Sequence, residues 1–174
     1  MVQIHKLENL IGGWFKGAPP LSKSTKETLA GIWPWVALVF GVLQLAAAWS
    51  LWRLYDRVQP FNDLVDQYSQ YYGNLDVGYS SVDKTFIFLA IAIAVVQGVL
   101  LLMAFSPLKA RLKKGWDLMF LSAIVGIVYS VATLFVDGRG IGSFVFGVII
   151  TGFVLYLMFQ LRDMYSTKAA PVKN

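Results

Sequence analysis

The sequence predicts an all-α membrane protein, a bundle of four transmembrane helices with short interfacial amphipathic helices. The chain of 174 residues is 57% hydrophobic and only 14% charged, whereas soluble domains are about a quarter charged. Four segments carry no charge at all, namely 28–52, 85–108, 118–136 and 140–161. Each is about as long as a helix must be to cross a hydrocarbon core of roughly 30 Å. Helices are expected there because hydrocarbon offers backbone polar groups no partner.

The membrane domain is predicted to cover 29–165. We expect its spans at about 29–52, 85–106, 117–136 and 141–162, with an external loop at 53–84. Pro107 marks the predicted end of the second span, since proline disfavours helix continuation. A cytoplasmic amphipathic segment is predicted at 1–28 and a flexible cytoplasmic tail at 166–174.

Basic residues are distributed unequally between the predicted connections. Of the 15 lysines and arginines, four lie in 53–84 and 137–140, which leaves 15 − 4 = 11 for the N-terminal segment, the 106–117 turn and the C-terminal tail. A basic excess beside helix ends marks the cytoplasmic side. We therefore expect a multi-pass protein of the plasma (inner) membrane with both termini in the cytoplasm. The net charge of +5 favours anionic lipid at that face over nucleic acid.

The N-terminal segment carries an amphipathic pattern. Its apolar stripe has helical spacing and consists of Ile4, Leu7, Ile11, Trp14 and Phe15. Polar residues, Glu8 among them, lie between these positions, and Gly12 and Gly13 weaken the helix propensity. The pattern predicts a helix in the cytoplasmic membrane interface, with the two glycines as its weakest point; a docking helix for a soluble partner is the alternative.

The external loop contains a second amphipathic stretch. Pro60 suits a first helical position and Gly73 suits the residue just past a helix end. A short helix between them is expected to rest on the outer membrane surface or to cap the bundle. Its candidate partner surface consists of Phe61, Leu64, Tyr68 and Tyr72.

Small residues four apart define candidate helix-packing faces, because membrane helices associate through close packing. These are Ala90, Ala94 and Gly98 in the second span, Ser122, Gly126 and Ser130 in the third, and Ser143, Gly147 and Thr151 in the fourth. The third and fourth spans are joined by a short turn, so their two faces are expected to touch. Gln44 and Gln97 are predicted to form interhelical hydrogen bonds inside the membrane.

Residues that support common chemistries are missing from the sequence. There is no cysteine, and the single histidine, His5, lies outside the predicted spans. The four charge-free segments that form most of the spans hold no Asp, Glu, Lys or Arg, which disfavours ion-coupled transport. We therefore predict no enzyme activity, no catalytic or metal-binding residue and no cofactor.

Two C-terminal motifs resemble small uncharacterised bacterial four-helix integral membrane proteins. They are "KKGWDLMF", which opens the third span, and "GFVLYLMFQLRDMY", which closes the fourth, and the resemblance covers 107–165. It implies a four-span protein of the bacterial inner membrane and carries over no functional residue.

The functional hypothesis from the sequence is a scaffolding, accessory or modulating subunit. It would act through helix packing and its external loop, on another membrane protein or by self-association. The alternative is a subunit of an oligomeric channel or transporter, which predicts that Gln44, Gln97 or Thr133 faces water. A third option is binding of anionic lipid through the basic face.

Overall fold

The computed structural model describes residues 2–73, 81–132 and 141–165. Within these ranges the chain forms the helices α1 (Val2–Trp14), α2 (Lys23–Tyr72), α3 (Ser81–Lys109), α4 (Lys113–Ala132) and α5 (Ile141–Gln160), followed by a 3-10 turn at Arg162–Met164. No β-strand occurs in the described ranges, so the predicted all-α class is confirmed.

Three of these helices are long and apolar enough to cross a membrane. The qualifying stretches are Lys23–Ser69, Thr85–Lys109 and Lys113–Val131. The apolar part of α5, Val145–Gln160, is shorter. The fold is therefore that of a membrane protein with three candidate spans by length and composition.

Helix α2 continues far beyond the predicted first span. Its 50 residues make it about 75 Å long at ~1.5 Å per residue. The predicted loop at 53–84 is therefore helical as far as Tyr72, and Pro60 lies inside the helix instead of beginning a new one. The stretch before Pro60 holds no glycine or proline to stop the helix. The helix ends at Gly73, as predicted, where φ is 89°.

Local sequence features explain where α1 ends and where α2 begins. Helix α1 runs through Gly12 and Gly13 and ends at Trp14. Pro19 and Pro20 lie in the connection that follows. Ser22 then caps α2, because its hydroxyl accepts a hydrogen bond of 3.1 Å from the Thr25 amide.

The antiparallel pair α2 and α3 packs most closely at two glycines. A Cβ added at Gly41 would lie 3.2 Å from the Gly98 carbonyl oxygen, and one added at Gly98 would lie 3.1 Å from the Gly41 oxygen. The candidate face on α3 thus packs against α2, with Ala94 buried beside Gly98 and Ala90 half-buried. Inward positions on α2 alternate in steps of four and three residues, the spacing of a left-handed coiled coil. These positions are Ala30, Pro34, Ala37, Gly41, Gln44, Ala48, Leu51, Tyr55 and Val58.

The core gathers at the end of the bundle where α3 ends and α4 begins, which we call the basic end. Its fully buried large side chains are Leu108, Trp116, Phe120, Met158 and Leu161. Helix α3 continues two residues past Pro107, and the chain reverses in a tight turn at 110–112. Gly115 allows this turn, since a Cβ there would lie 2.5 Å from the Leu108 amide nitrogen.

Candidate functional site

A buried ion cluster at the basic end joins three separate parts of the chain. The Glu8 carboxylate of α1 is fully buried and lies 3.1 Å from Lys113 Nζ and 2.6 Å from Arg162 Nε. Lys113 also pairs with Asp117 at 2.8 Å. The sequence pattern counts Glu8 among the polar residues of an amphipathic helix, but its side chain is fully buried. Its partners lie more than 100 residues away in sequence, where helical periodicity gives no information about them.

The two cations of this cluster lie against the ring of Trp116. Lys113 Nζ is 4.9 Å and the Arg162 guanidinium carbon 6.0 Å from the ring centroid, within the range of cation–π attraction. The Trp116 indole donates a hydrogen bond of 2.8 Å to the Met158 carbonyl oxygen. We call Glu8, Lys113, Arg162 and Trp116 the ionic lock, because together they fasten α1 to α4 and to the end of α5.

One face of α1 completes this attachment. A Cβ at Gly12 would lie 2.9 Å from the Phe159 ring, and Phe15 stacks on Phe159 at 5.6 Å between centroids. Ile11 is buried with them. A second apolar face, rotated by about a quarter turn, stays exposed and consists of Leu7, Leu10 and Trp14. The stripe predicted for α1 is therefore divided between the bundle and the exterior.

A chain of hydrogen bonds links α2, α3 and α4. Gln44 Nε2 donates to Gln97 Oε1 at 3.1 Å, and Gln97 Nε2 donates to the Ser122 carbonyl oxygen at 3.1 Å. The predicted interhelical role of both glutamines is confirmed by these contacts. A crevice of about 250 Å³ lies beside them, and Trp33, Gln44, Gln97 and Ser122 are among its lining residues.

At Gly126 the face of small residues on α4 meets α3. A Cβ at Gly126 would lie 2.7 Å from Gln97 Nε2, so the long Gln97 side chain occupies the space above this glycine. The contact of the whole face with the fourth span stays a prediction. Ser130 donates its hydroxyl to the Gly126 carbonyl oxygen at 3.0 Å.

The candidate face on α5 is loosely packed. A Cβ at Gly147 would meet no atom within 4 Å. Thr151 and Ser130 line a crevice of about 330 Å³ between α4 and α5, which Trp14 and Phe15 also border. The Ser143 side chain lies outside the described residues. Close packing of α5 is thus confined to its last turns, near Met158.

The predicted partner surface lies on the distal half of α2, by which we mean residues 48–72, the half farther from the basic end. Phe61, Leu64 and Tyr68 are 58%, 55% and 57% exposed. The Tyr72 side chain lies outside the described residues. The sequence analysis missed Tyr71, which is 80% exposed. The spacing of 61, 64, 68 and 71 in steps of three and four was the signal that would have found it.

Two buried polar atoms lack a hydrogen-bond partner in the part of the chain that the structure describes. They are Trp33 Nε1 and the Tyr165 hydroxyl. Burial raises the pKa of Tyr165 to about 12, and the charge of Arg111 acts in the opposite direction. Arg111 is also the only described residue other than glycine with a positive φ, 55°.

The C-terminal end is tied to the beginning of α2 by polar contacts. Gln160 accepts a hydrogen bond from the Leu21 amide at 3.3 Å and donates one to the Pro19 carbonyl oxygen at 3.3 Å. Lys26 pairs with Asp163 at 2.9 Å. These contacts hold the start of α2 beside the end of α5.

The fold and these contacts define the class: an all-α protein with three helices of membrane-spanning length, fastened at one end by a buried ionic lock. Comparison with known protein families, curated proteins and solved structures finds no match to this chain. The functional argument therefore rests on its own residues.

Proposed function

We propose that the protein is a non-enzymatic integral membrane scaffold or accessory subunit that presents the distal half of α2 to a protein partner. The observation that carries this proposal is the exposure of Phe61, Leu64, Tyr68 and Tyr71 on a helix about 75 Å long. A hydrocarbon core is only about 30 Å thick. A large part of α2 is therefore available outside the membrane.

In this proposal α5 is the fourth span. Its 20 residues give a length of about 30 Å, which matches the hydrocarbon core. With four spans, the N-terminal segment, the turn at 110–112 and the C-terminal end lie on one side, and the excess of basic residues makes that side cytoplasmic. The distal half of α2 then projects from the opposite face of a bacterial inner membrane.

The helix contacts support a scaffold because they hold α2 in place over its membrane portion. The crossing of Gly41 and Gly98 brings two backbones together, and Gln44 bonds to Gln97. Small residues and interhelical hydrogen bonds are the means by which membrane helices associate. A rigid support of this kind positions a recognition surface and needs no reactive group.

Lipid is a further partner at the basic end. The exposed apolar face of α1 suits the membrane interface, and Lys6, Lys16, Lys23 and Lys114 are exposed around it. Such an arrangement attracts anionic headgroups. The channel alternative has less support, since Gln44 and Gln97 bond to each other instead of offering both amides to water; Thr133 lies outside the described residues.

The test combines topology with partner capture. Because the natural chain has no cysteine, single cysteines at Lys114 and Gln67 report their sides of the membrane to an impermeant thiol reagent. In intact cells we expect the reagent to label the cysteine at position 67 and to leave the cysteine at position 114 unlabelled. A photo-crosslinking amino acid at Leu64 should capture a protein, whereas the same group at Asp63, which is exposed and lies about 100° around the helix from Leu64, should not. Labelling at position 114 from outside, or no capture at position 64, would refute it.

A further inference from the structure

We propose that the crevice of about 250 Å³ beside Gln44 and Gln97 binds one glycerophospholipid, and that Trp33 Nε1 donates a hydrogen bond to an ester carbonyl oxygen of this lipid. One acyl chain of the lipid lies along the crevice. The inference rests on α5 as the fourth span of the proposed function. It does not depend on the partner surface of α2.

The crevice runs lengthwise between α2 and α5. Its wall on α2 extends from Trp33 to Gln44, a distance of about 16 Å along the helix axis. Helix α5 contributes Val154, Leu157 and Met158, and residues of α3 and α4 complete the lining. A volume of about 250 Å³ spread over that length describes a slot, which suits a chain better than a ring system.

The gap between α2 and α5 gives lipid access to this slot. Helix α2 packs against α3 and α5 packs against α4, whereas in the described residues the backbones of α2 and α5 scarcely approach each other. The ties between the two lie at the basic end, where Lys26 pairs with Asp163. Phe40, which lines the slot, is 57% exposed. With α5 in the membrane, lipid chains adjoin the gap, and an empty slot would deprive its walls of dispersion contacts.

Trp33 determines which chemical group the ligand must carry. Its side chain lines the crevice and is only 6% exposed. Its Nε1 has no hydrogen-bond partner in the part of the chain that the structure describes. An indole N–H can only donate, and a buried donor without an acceptor is costly. The ligand must therefore bring an acceptor oxygen, which a plain hydrocarbon lacks.

The position of Trp33 along α2 identifies an ester carbonyl as that acceptor. Trp33 lies five residues past Thr28, where the charge-free segment begins, which is about 8 Å along the helix axis. A helical side chain leans towards the start of its helix, so the indole lies near the border between the headgroup region and the hydrocarbon core. The ester groups of glycerophospholipids lie at this border, and the chains below them offer no acceptor.

The remainder of the crevice suits the acyl chain below that ester. Val36, Ala37 and Leu101 give it apolar walls. The two glutamines at its deep end bond to each other, and Gln97 also bonds to the Ser122 carbonyl oxygen. A chain that enters from the basic end therefore meets apolar side chains as far as the glutamine pair.

Two forms of one lipid test the hydrogen bond from the ligand side. Protein stripped of lipid in detergent is titrated with diacyl phosphatidylglycerol or with its dialkyl ether, which lacks both carbonyl oxygens. Native mass spectrometry counts the bound lipid. The wild-type protein should bind one molecule of the ester form about fivefold more tightly than the ether form, as expected for one hydrogen bond.

Matched variants test the same bond from the protein side. Trp33→benzothienylalanine keeps the size of the ring and replaces the N–H with sulfur, so the preference for the ester should disappear. The same replacement at Trp35, which is 53% exposed and is not part of the crevice wall, should keep that preference. Ala123→Leu places a larger side chain on the wall and should weaken binding of both lipid forms several-fold.

The wild-type titration decides the inference even if a variant fails to fold. Absence of bound lipid, or equal affinity for the ester and ether forms, would overturn it. Persistence of the ester preference after Trp33→benzothienylalanine would show that another group is the donor and would also overturn it. Co-purification of a carbonyl compound that is not a glycerolipid, and its loss in Ala123→Leu, would refute the assigned ligand.

The span count has a test of its own in the cysteines at positions 67 and 114. If these two positions are labelled on the expected sides and no lipid binds, the lipid site is refuted and the proposed function stands. If position 114 is labelled from outside, the proposed function fails first, and the lipid site loses the membrane placement on which it rests.

Discussion

The ionic lock predicts that removal of Glu8 and removal of its partners have different consequences. In Glu8→Gln, the side chain keeps its shape and loses its charge. Lys113 and Arg162 are 25% and 44% exposed, so each can turn towards water after the change. Hydrogen bonds to charged groups contribute about 1.5–3 kcal/mol when buried, and the partial exposure of both cations reduces this. We expect a loss of about 2 kcal/mol from the attachment of α1.

The opposite change leaves a buried carboxylate without its cations. In Lys113→Met with Arg162→Met, the fully buried Glu8 loses both of the cations that compensate its carboxylate. An unpaired buried charge costs about 3–5 kcal/mol. Adding Glu8→Gln to this double variant removes that charge and should therefore stabilise the docked helix. Glu8→Gln should therefore destabilise the docked α1 in the wild-type protein and stabilise it in the double variant.

Hydrogen exchange of the α1 amides in detergent measures this directly, because local opening sets their exchange rate. Glu8→Gln alone should speed exchange about 30-fold, at ~1.4 kcal/mol per factor of ten. On the double-variant background it should slow exchange instead. Asp163→Asn is the control, since its ion pair with Lys26 is 63% exposed at the carboxylate and should change exchange by about twofold. If Glu8→Gln accelerates exchange equally on both backgrounds, the lock does not depend on charge compensation.

The remaining predictions concern packing and pH. Gly98→Val should separate α2 from α3 and lower the melting temperature by several degrees, because its Cβ would lie 3.1 Å from a backbone oxygen; Gly31→Ala, with no atom within 4 Å, should keep or slightly raise it, because alanine favours the helix. Gln97→Leu breaks two interhelical bonds and should cost about 1 kcal/mol at ~0.6 kcal/mol each, measured by unfolding in mixed micelles. Tyr165→Phe should be neutral at pH 7, since the hydroxyl has no described partner. The folded-state pKa of the Tyr165 hydroxyl, about 12, exceeds the unfolded value of ~10, so the wild-type protein should lose stability as pH rises from 10 to 12. Tyr165→Phe should resist that loss in an alkaline titration followed by circular dichroism.

The helices could be predicted from the sequence because each one follows from local composition. Charge-free segments of about 20 residues or more predict membrane-length helices wherever they occur, and Gly73 ends α2 as its position suggested. The error at 53–60 has a local origin too. An interior proline costs about 3 kcal/mol through one lost hydrogen bond and a clash with the preceding turn, but Pro34 and Pro60 both lie inside α2 without ending it.

The contacts between helices could not be predicted in the same way. Small residues identify a face that permits close approach, but they do not identify the neighbour, and Gly126 accommodates Gln97 instead of α5. Residue type does not decide burial either, since Trp35, Trp49 and Trp52 are exposed whereas Trp116 is buried in the core.

The position of the exposed residues at the far end of α2 depends on how the ionic lock holds the near end. At the basic end, Gln160 and Asp163 hold the residues where α2 begins, and α1, fastened by Glu8, leads directly into that start. The helix is continuous from Lys23 to Tyr72, so a tilt of about 5° at the basic end would displace the far end by about 6 Å over its ~75 Å length. An intact lock therefore fixes the position of the exposed side chains at the far end of α2, and Glu8→Gln should reduce photo-crosslinking from Leu64 although it lies at the opposite end of the molecule.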